Sequence, residues 1–375
     1  MAELKALDLT QLRADLARQG ATWRSVDTTI AMLEEPDRVR LLGVPLPAKA
    51  ETDRIVQQAA AIHPASGGNG HGPAAAGNGA GAITAATAFD ARNYYGSNYV
   101  TPIKNQLNCG SCVAFGTCAA VETTAGFLRG QPGLQLNLSE QQLFFVHGPA
   151  TGASCANGWW PEHAYAAFQN LGVTFEDYMA YNPAGGGTLN PDWPNHKAQI
   201  TGFNTVTSNV AAMKQHLQSY GALSACLIVY QDFFSYGGGV YKHVSGGQAG
   251  GHCVSLVGFD DNQGCWIAKN SWGTGWGEAG FFRIGYGECA IETWRVHGSL
   301  AVNLRMWISS LVRGLWSNEA ADNAYAYLDK VGWARLAYGA PGANLSMLTE
   351  LTSARLRGSS ISAFHDNGQL TETYV

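Results

Sequence analysis

The spacing of apolar residues along the chain changes from a helical period to short β-like runs about half-way along. Residues 112–129 are mostly apolar and are followed by Gly130, which predicts a buried helix, and further helices are expected over 138–146 and 162–170. Apart from a helix at 213–220, the segments after residue 200 are predicted strands, at 223–229, 239–241, 252–259, 264–269 and 280–285. Helices first and strands second predict an α+β fold with two lobes and a groove between them.

Residues 1–63 carry much of the charge of the chain and predict a small helical segment. Four leucines suit an amphipathic helix that is capped at Asp8 or Thr10 and ends at Gly20: Leu7, Leu9, Leu12 and Leu16. A second helical stretch is expected over residues 27–42, interrupted at Pro36. Such a segment is either an independent helical module or a pro-segment that packs on the next domain. We favour the pro-segment because of the sequence that follows it.

Residues 64–88 are rich in glycine and alanine and contain no Asp, Glu, Lys or Arg. This composition predicts a flexible linker, whose root-mean-square reach is on the order of 25–30 Å. The reach allows the preceding segment to lie across a cleft in the body of residues 89–298. A linker of this kind is also an accessible site for proteolysis.

Residues 299–375 predict a separate small α+β unit of unknown role, without a catalytic constellation. We expect an amphipathic helix over residues 300–315, a strand over 333–338 and a second helix over 346–356. A hairpin is expected over 361–374, and Asn367-Gly368 is a typical turn sequence for it.

Composition narrows the function classes. The chain is 46% hydrophobic and 14% charged, and its net charge of −5 includes no basic block, which argues against nucleic acid or an anionic membrane as partner. No apolar run is long enough to span a membrane, and the amino terminus lacks an apolar signal core. We therefore expect a soluble monomer without cofactor or metal, although its location stays open between the cytoplasm and export by a non-standard route.

One group of residues predicts nucleophilic catalysis by a thiol. Cys112 opens the apolar helix, where unpaired N–H groups and the macrodipole favour a thiolate. Gln106 offers a neutral amide that can stabilise an oxyanion. His252 lies in an apolar strand and Asn270 follows the next strand, so an antiparallel pairing would let the amide orient the imidazole. Trp272 would cover that hydrogen bond from water.

These residues stand in motifs that resemble those of the papain family of cysteine peptidases. The nucleophile lies in Cys109-Gly110-Ser111-Cys112, which matches the family signature except that Val113 replaces an aromatic residue. Other matching stretches occur in the family's order over about residues 89–297: Val100 to Gln106, Leu138 to Leu143, Glu176 to Tyr178, Gly251 to Val254, and Asn270 to Glu278.

The resemblance implies a papain-like fold, with a helical left lobe, an antiparallel β-barrel right lobe and a cleft between them. It makes Cys112 the nucleophile, His252 the general base and acid, Asn270 the residue that orients His252, and Gln106 with the Cys112 N–H the oxyanion hole. The resting pair would be thiolate and imidazolium. Residues 1–63 then match the family's pro-region, which lies in the cleft until it is removed.

The resemblance also implies further residues. Cys109 pairs with Cys155 in a disulfide, and Gly158 and Trp159 stand where the family binds extended peptides. Val113 and Trp272 line the site, and Trp294 falls where the pocket for the second substrate side chain closes, which would make that pocket shallow.

Three alternatives stay open. Changes in the groove, at Val113 and beside Gly158, would suit a catalytically silent binding protein on the same fold. Transfer of the thioester to an amine would make the protein an acyltransferase or ligase. Cys109 and Cys155 could instead be reduced thiols, since no export signal is present. A cysteine endopeptidase made as a self-inhibited precursor is the function that we expect.

Overall fold

The computed structural model describes residues 8–63, 86–134, 136–318, 323–337 and 342–375. The α-helices are α1 Leu9–Arg18, α2 Glu35–Val39, α3 Lys49–Ile62, α4 Cys112–Leu128, α5 Pro161–Asn170, α6 Val210–Tyr220 and α7 Ala343–Arg357. The strands are β1 Ala88–Asp90, β2 Val173–Thr174, β3 Lys197–Ile200, β4 Phe203–Thr205, β5 Leu223–Tyr230, β6 Val240–Tyr241, β7 Gln248–Asp260, β8 Cys265–Lys269, β9 Phe281–Gly285, β10 Val296–Ser299, β11 Val302–Ser317, β12 Ala324–Leu328, β13 Gly332–Leu336, β14 Ser360–Asp366 and β15 Gln369–Tyr374. Single 3-10 or π turns lie at Gln142–His147, Gly148–Thr151, Trp193–Asn195, Gln231–Ser235 and Glu288–Ala290.

Helix α4 is the centre of the body because it is apolar on every side. Residues 112–126 are all buried, as expected for a helix without a polar face. Gly116 lets α4 approach β7 closely, since a Cβ there would lie 2.9 Å from the Cys253 sulfur. Helix α5 packs against the same helix. The predicted helix at 112–129 and its position at the start of a lobe are thereby confirmed.

The second lobe is a mainly antiparallel sheet in the order β4-β10-β5-β7-β8-β9-β6, with β1 added along β7. The long strand β7 occupies its centre, where both neighbours cover it, and residues 251–259 are buried. The five strands predicted after residue 200 correspond to β5 to β9. The α+β, papain-like fold class is confirmed.

The N-terminal segment is helical at three places rather than two. Asp8 caps α1 as predicted, and its carboxylate accepts hydrogen bonds from the N–H groups of Thr10 and Gln11. The helix expected over 27–42 is wrong for most of its length, because Pro36 suits only a first turn and α2 forms there as five residues. Helix α3 was not predicted. The predicted linker lies almost entirely outside the described residues, and the domain boundaries stay predictions.

The helix expected over residues 300–315 is wrong, since these residues form most of strand β11. Leu304, Ile308 and Val312 are buried and are spaced by four residues, a spacing that fits one face of a helix and also the even positions of a strand. The pairing of β11 with β3 and β14 decides between these possibilities. The later helix and the hairpin at Asn367-Gly368 agree with α7, β14 and β15.

Through β11, the C-terminal strands join the body in one sheet of order β12-β13-β15-β14-β11-β3-β2. The first part of β11 pairs with β3, and its remainder pairs with β14 and β12. A separate core lies inside this unit, beneath α7. Within the described part of the chain, no helix has the length and apolarity to cross a membrane.

Candidate active site

Cys112 is the first residue of α4 and is fully buried. Its sulfur is near the backbone of Val113 in its own helix, of Cys253 in β7 and of Gly43 in the N-terminal segment, and these backbone groups favour the thiolate. The sulfur therefore lies where the helical lobe meets the sheet lobe, beside the residue that directly follows His252 in the chain.

His252 lies inside strand β7, four residues after its start, and Asn270 directly follows β8. The antiparallel pairing of β7 with β8 brings the two side chains together, and His252 Nε2 lies 2.8 Å from Asn270 Oδ1. The same Oδ1 accepts the Ser271 N–H at 2.8 Å, which identifies it as the amide oxygen. His252 Nε2 therefore donates its proton, and the neutral ring keeps Nδ1 as its proton acceptor.

Trp272 packs against the His252 ring of the His252–Asn270 pair. Its ring centroid lies 4.7 Å from that of His252. The indole is itself held by Phe233, Phe234 and Trp276. Water is therefore kept from the hydrogen bond, which strengthens it and fixes the plane of the imidazole.

Gln106 is buried, and both ends of its amide are engaged. Its Oε1 accepts a hydrogen bond from Ser271 Oγ at 2.6 Å, so its Nε2 must point away from β8. That Nε2 donates to the Cys109 carbonyl at 2.9 Å and to the Leu41 carbonyl at 3.0 Å. The second acceptor belongs to the N-terminal segment, so a peptide carbonyl already occupies this donor.

Gly43 of the N-terminal segment is held between backbone atoms of the helical lobe. A Cβ at Gly43 would lie 2.0 Å from the Gly110 carbonyl oxygen, and a Cβ at Gly158 would lie 2.2 Å from the Gly43 oxygen. The Gly43 carbonyl also accepts the Trp159 N–H at 2.8 Å. No side chain fits at these positions, and the close approach explains why glycine occupies each of them.

The flanking residues of the segment bind the sheet lobe. Val44 forms an antiparallel bridge with Gly251, and its N–H donates to the Gly251 carbonyl at 3.0 Å. Leu42 packs against Gly250, where a Cβ would lie 2.7 Å from Leu42 Cδ1. We call residues 41–44 the cleft strand. It contacts Gln106, the Gly110 backbone just before Cys112, and Gly250 and Gly251 just before His252.

Burial dominates the electrostatics of the site beneath the cleft strand. Burial raises the pKa of the Cys112 thiol, and the nearby Cys253 adds to the rise, whereas backbone hydrogen bonds from Cys253, Gly43 and Val113 oppose it. Burial lowers the pKa of His252 to about 4, against the opposing effects of Asn270 and the Leu41 backbone. With the cleft covered, thiol and imidazole are therefore both neutral at neutral pH.

Of the other residues predicted to bind substrate, Gly158, Trp159 and Trp294 lie beside the cleft strand or the residues that it contacts, whereas Val113 lies in the core. Gly158 has a φ of +69° and faces Gly43. Trp159 presents only its backbone there, because its ring is buried against Phe144. Trp294 packs against Gly251, where a Cβ on residue 251 would lie 2.4 Å from the Trp294 Cη2. Val113 is fully buried in the core of the helical lobe.

The predicted disulfide is present and joins Cys109 to Cys155, with 4.6 Å between their Cα atoms. It ties the loop before α4 to the loop that carries Gly158. The other six cysteines, all within the described residues, are buried free thiols. In the described part of the chain, no three His, Cys, Asp or Glu side chains are grouped as metal ligands.

Two residues that position the candidate active site were not predicted from the sequence. Ser271 orients the Gln106 amide, and Tyr181 donates to the Gln106 carbonyl at 2.8 Å and contacts Ser111 Oγ at 2.8 Å. The sequence offered one indication of the role of Ser271, since it directly follows the predicted site residue Asn270. Tyr181 is distant in sequence, and nothing in its local sequence marks it.

A buried charge network lies behind α4 and supports the end of β8. Lys104 Nζ binds Glu140 at 2.7 Å and Glu122 at 3.1 Å, and Glu122 accepts a hydrogen bond from Thr101 Oγ1. Lys269, directly before Asn270, donates to the Thr101 carbonyl at 2.8 Å. Burial raises the pKa of Glu140 to about 7, although Lys104 opposes the rise. The network thus links β8 to α4 across the two lobes.

We expect Lys104→Met to lower the free energy of unfolding by about 3 kcal/mol or more, because it leaves the carboxylates of Glu122 and Glu140 buried without their cation. Urea unfolding at pH 7 measures the loss. Lys49→Met removes an exposed ion pair with Asp53 and should change stability by less than about 1 kcal/mol. Equal effects of the two substitutions would show that the network carries no net stability.

With this geometry in place, comparison with known sequences decides the family. The family profile described as papain family cysteine protease matches residues 85–298. The chain belongs to the papain family. It is therefore a papain-like cysteine protease, and its form in the structure is zymogen-like, with its own N-terminal segment in the cleft.

Papain-family relatives cover the body of this chain. It is 32% identical over 219 residues to cathepsin B-like CP2 of Giardia intestinalis, which covers 55% of this chain and 71% of that protein. It is 33% identical over 199 residues to fruit bromelain of Ananas comosus, and the match covers 52% of this chain and 53% of that protein. The procathepsin B S9 structure from Trypanosoma congolense superposes with a TM-score of 0.61 at 21% identity, covering 78% of this chain and 98% of that one.

Proposed function

We propose that this papain-family protein is an endopeptidase that cleaves peptide bonds through Cys112, His252 and Asn270, and that residues 1–63 inhibit it before processing. The observation that carries the proposal is the 2.8 Å hydrogen bond from His252 to Asn270, next to the buried Cys112 sulfur, which is near the backbone of residue 253. A nucleophile, a base and a group that orients the base are the parts that thiol catalysis needs.

In the proposed reaction, His252 Nδ1 takes the Cys112 proton and the sulfur attacks the peptide carbonyl carbon. The imidazolium then protonates the leaving amine nitrogen as the C–N bond breaks, which leaves a thioester on Cys112. A water molecule gives its proton to His252 and attacks the thioester, and the released thiolate completes the cycle. Asn270 fixes the ring so that Nδ1 is the atom that exchanges protons throughout.

Gln106 is proposed to stabilise the tetrahedral intermediates. Its Nε2 donates to the Leu41 carbonyl in the covered cleft, so the donor is aimed at a peptide oxygen already. Ser271 holds the opposite end of the amide and prevents a flip that would present an oxygen instead. Such a fixed neutral donor is suited to an oxyanion because it needs no reorganisation during the reaction.

The cleft strand is proposed to inhibit in two ways. First, it occupies the backbone groups near Gly158 and Gly251 that an extended substrate would bind. Second, it excludes water from the site, so that the Cys112 thiol and the His252 imidazole stay neutral. Departure of the segment would restore water to both groups. Their pKa values would then return toward the range in which a thiolate–imidazolium pair forms.

Digestion of a peptide library, with product masses recorded, tests the proposed reaction. The protein processed between residues 64 and 85 should generate internal cleavages, and the same protein treated with an epoxide that alkylates Cys112 should generate none. Stoichiometric alkylation without any cleavage would instead support a silent binding protein. Products joined to an added amine peptide, in preference to hydrolysed ones, would support acyl transfer.

A further inference from the structure

The C-terminal unit closes into a small barrel. β11 pairs with both β12 and β14, β12 pairs with β13, β13 runs parallel to β15, and β15 pairs with β14. Numbered within the unit, the strand order is 1-2-3-5-4 and returns to 1, with helix α7 between the third and fourth strands. This is the topology of the OB-fold, a barrel that binds oligonucleotides or oligosaccharides on the face of its second and third strands.

On β12 and β13, that face is aromatic. Alternate residues point into the barrel and are buried against α7: Ala324, Ala326, Leu328, Ala334 and Leu336. The residues between them point outward and include Tyr325, Tyr327 and Trp333, and Trp316 of β11 lies beside them. Trp333 is 54% exposed and Trp316 47%, which is unusual for side chains that normally seek burial. We call these four residues the aromatic platform.

The platform is held in place by its own contacts. Trp333 and Tyr327 lie 5.5 Å apart at 75°, and Trp316 and Tyr325 lie 5.6 Å apart at 62°. The Trp333 ring extends over Gly314 of β11, where a Cβ would come within 3.2 Å of it. Paired rings over a rigid sheet lose little freedom when a ligand covers them, so the platform is prepared for binding.

A depression of about 430 Å³ lies within the platform and is lined by Trp316, Asn323, Tyr325 and Trp333. This volume is in the range of small-ligand sites, which run from about 300 to 1,000 Å³. The Asn323 amide adds hydrogen-bonding groups at the edge of an apolar floor, while its Nδ2 is held by Asn318 at 2.9 Å. The site thus combines flat rings with an amide at their rim.

The charges of the unit favour an uncharged ligand. Residues 299–375 contain six Lys and Arg and six Asp and Glu, so their net charge is zero. Beside the platform, the Arg313 guanidinium is paired with Asp329 at 2.8 Å. Single-stranded nucleic acid needs a series of cations along its phosphates, whereas the outward positions of β12 and β13 carry three aromatic rings and a single cation, Arg335, which lies opposite Tyr325.

We propose that the aromatic platform binds an uncharged oligosaccharide. The C–H faces of pyranose rings are flat and apolar and match exposed indole and phenol rings, while hydroxyl groups around the sugar edge match Asn323. Because the first part of β11 pairs with β3 of the body, a bound glycan would be held at a fixed distance from the cleft. The platform would thereby bring the peptidase to glycan-bearing surfaces or substrates.

Titration calorimetry of the full chain carrying Cys112→Ala, which prevents self-cleavage, tests this inference with four probes. These are the hexasaccharides of β-1,4-glucose, α-1,4-glucose, mannose and N-acetylglucosamine. We expect at least one to bind, with an affinity that 0.5 M NaCl leaves unchanged. Trp333→Ala should weaken that binding about tenfold or more, since one stacked ring is lost. Trp333→Phe should retain most of it.

Trp307→Ala is the matched control, because Trp307 is an exposed tryptophan of β11 that packs with Phe364 and Tyr374 away from the platform. It should leave glycan affinity unchanged, and thermal unfolding should confirm that each variant is folded. Failure of all four hexasaccharides to bind overturns the proposal. Two other results would also overturn it. Salt-sensitive binding of a twenty-nucleotide thymidine strand, without glycan binding, would indicate a nucleic-acid site. A dimer that Trp333→Ala dissociates would indicate self-association.

Discussion

His252→Ala should lower kcat/KM for peptide hydrolysis by about 10⁴-fold or more in the processed protein, with KM little changed. Without the imidazole, the Cys112 thiol has no base to take its proton, and the leaving amine has no acid. Cys112 loses its means of activation, although the fold keeps the groove that binds substrate. Hydrolysis of a fluorogenic peptide across the pH range measures the effect.

The pH profile separates a catalytic role from a structural one. The processed wild-type protein should show an acidic limb from the titration of the thiolate–imidazolium pair, whereas the variant should show only a residual activity that rises with pH as free thiolate forms. His163→Ala, in α5, is the matched histidine control and should retain nearly full activity. Comparable losses in both variants, or an unchanged pH profile in His252→Ala, would contradict the assigned role.

Gly43→Ala should release the unprocessed precursor from inhibition and raise its activity about tenfold or more. The added methyl group would lie 2.0 Å from the Gly110 oxygen and 2.3 Å from its carbon, which are backbone atoms that cannot move aside as a side chain could. The cleft strand must therefore shift, and two hydrogen bonds would weaken together, the one from the Trp159 N–H to the Gly43 carbonyl and the one from the Val44 N–H to the Gly251 carbonyl.

Activity must be measured on uncut chains, so mass spectrometry of each sample should show residues 1–375 intact. Ala48→Val is the matched control, because it adds more volume than Gly43→Ala at an exposed position five residues along. It should leave the precursor inhibited. A Gly43→Ala precursor that stays as inactive as the wild type would show that the contacts of the cleft strand do not restrain the enzyme.

The sequence allowed much of the fold to be predicted, because elements buried in the central core stand out as mostly apolar runs bounded by glycine and polar residues. Helix α4 and strands β5 to β9 pack on the central core, so their apolar patterns matched their secondary structure. The pattern failed at β11, where spacing by four residues satisfies a helix and a strand alike. Only pairing with β3 and β14, remote in sequence, excludes the helix. The error also concealed the closed barrel.

The site could be predicted as far as local motifs extended. Gln106, Cys112, His252 and Asn270 stand in short stretches of distinctive composition, and the structure brings His252 to Asn270. The hydrogen bonds from Gln106 to the Cys109 and Leu41 carbonyls were not predicted, and the oxyanion hole of Gln106 with the Cys112 N–H stays a prediction. The cleft strand could not be located from the sequence, because its contacts are made by backbone atoms and depend on the lack of a side chain at Gly43. Gly43 carries no local mark that distinguishes it from Gly20, which lies in open space.

Alkylation of Cys112 by iodoacetamide at pH 6 tests most directly whether a thiolate–imidazolium pair forms once the cleft is open. In the full-length chain, burial raises the thiol pKa and lowers that of His252 to about 4, so both groups are neutral at pH 6 and modification should be slow. After removal of residues 1–85, mass spectrometry should show Cys112 modified at least tenfold faster. Equal slow rates in both forms, or an unchanged rate in the open form after His252→Ala, would contradict the account.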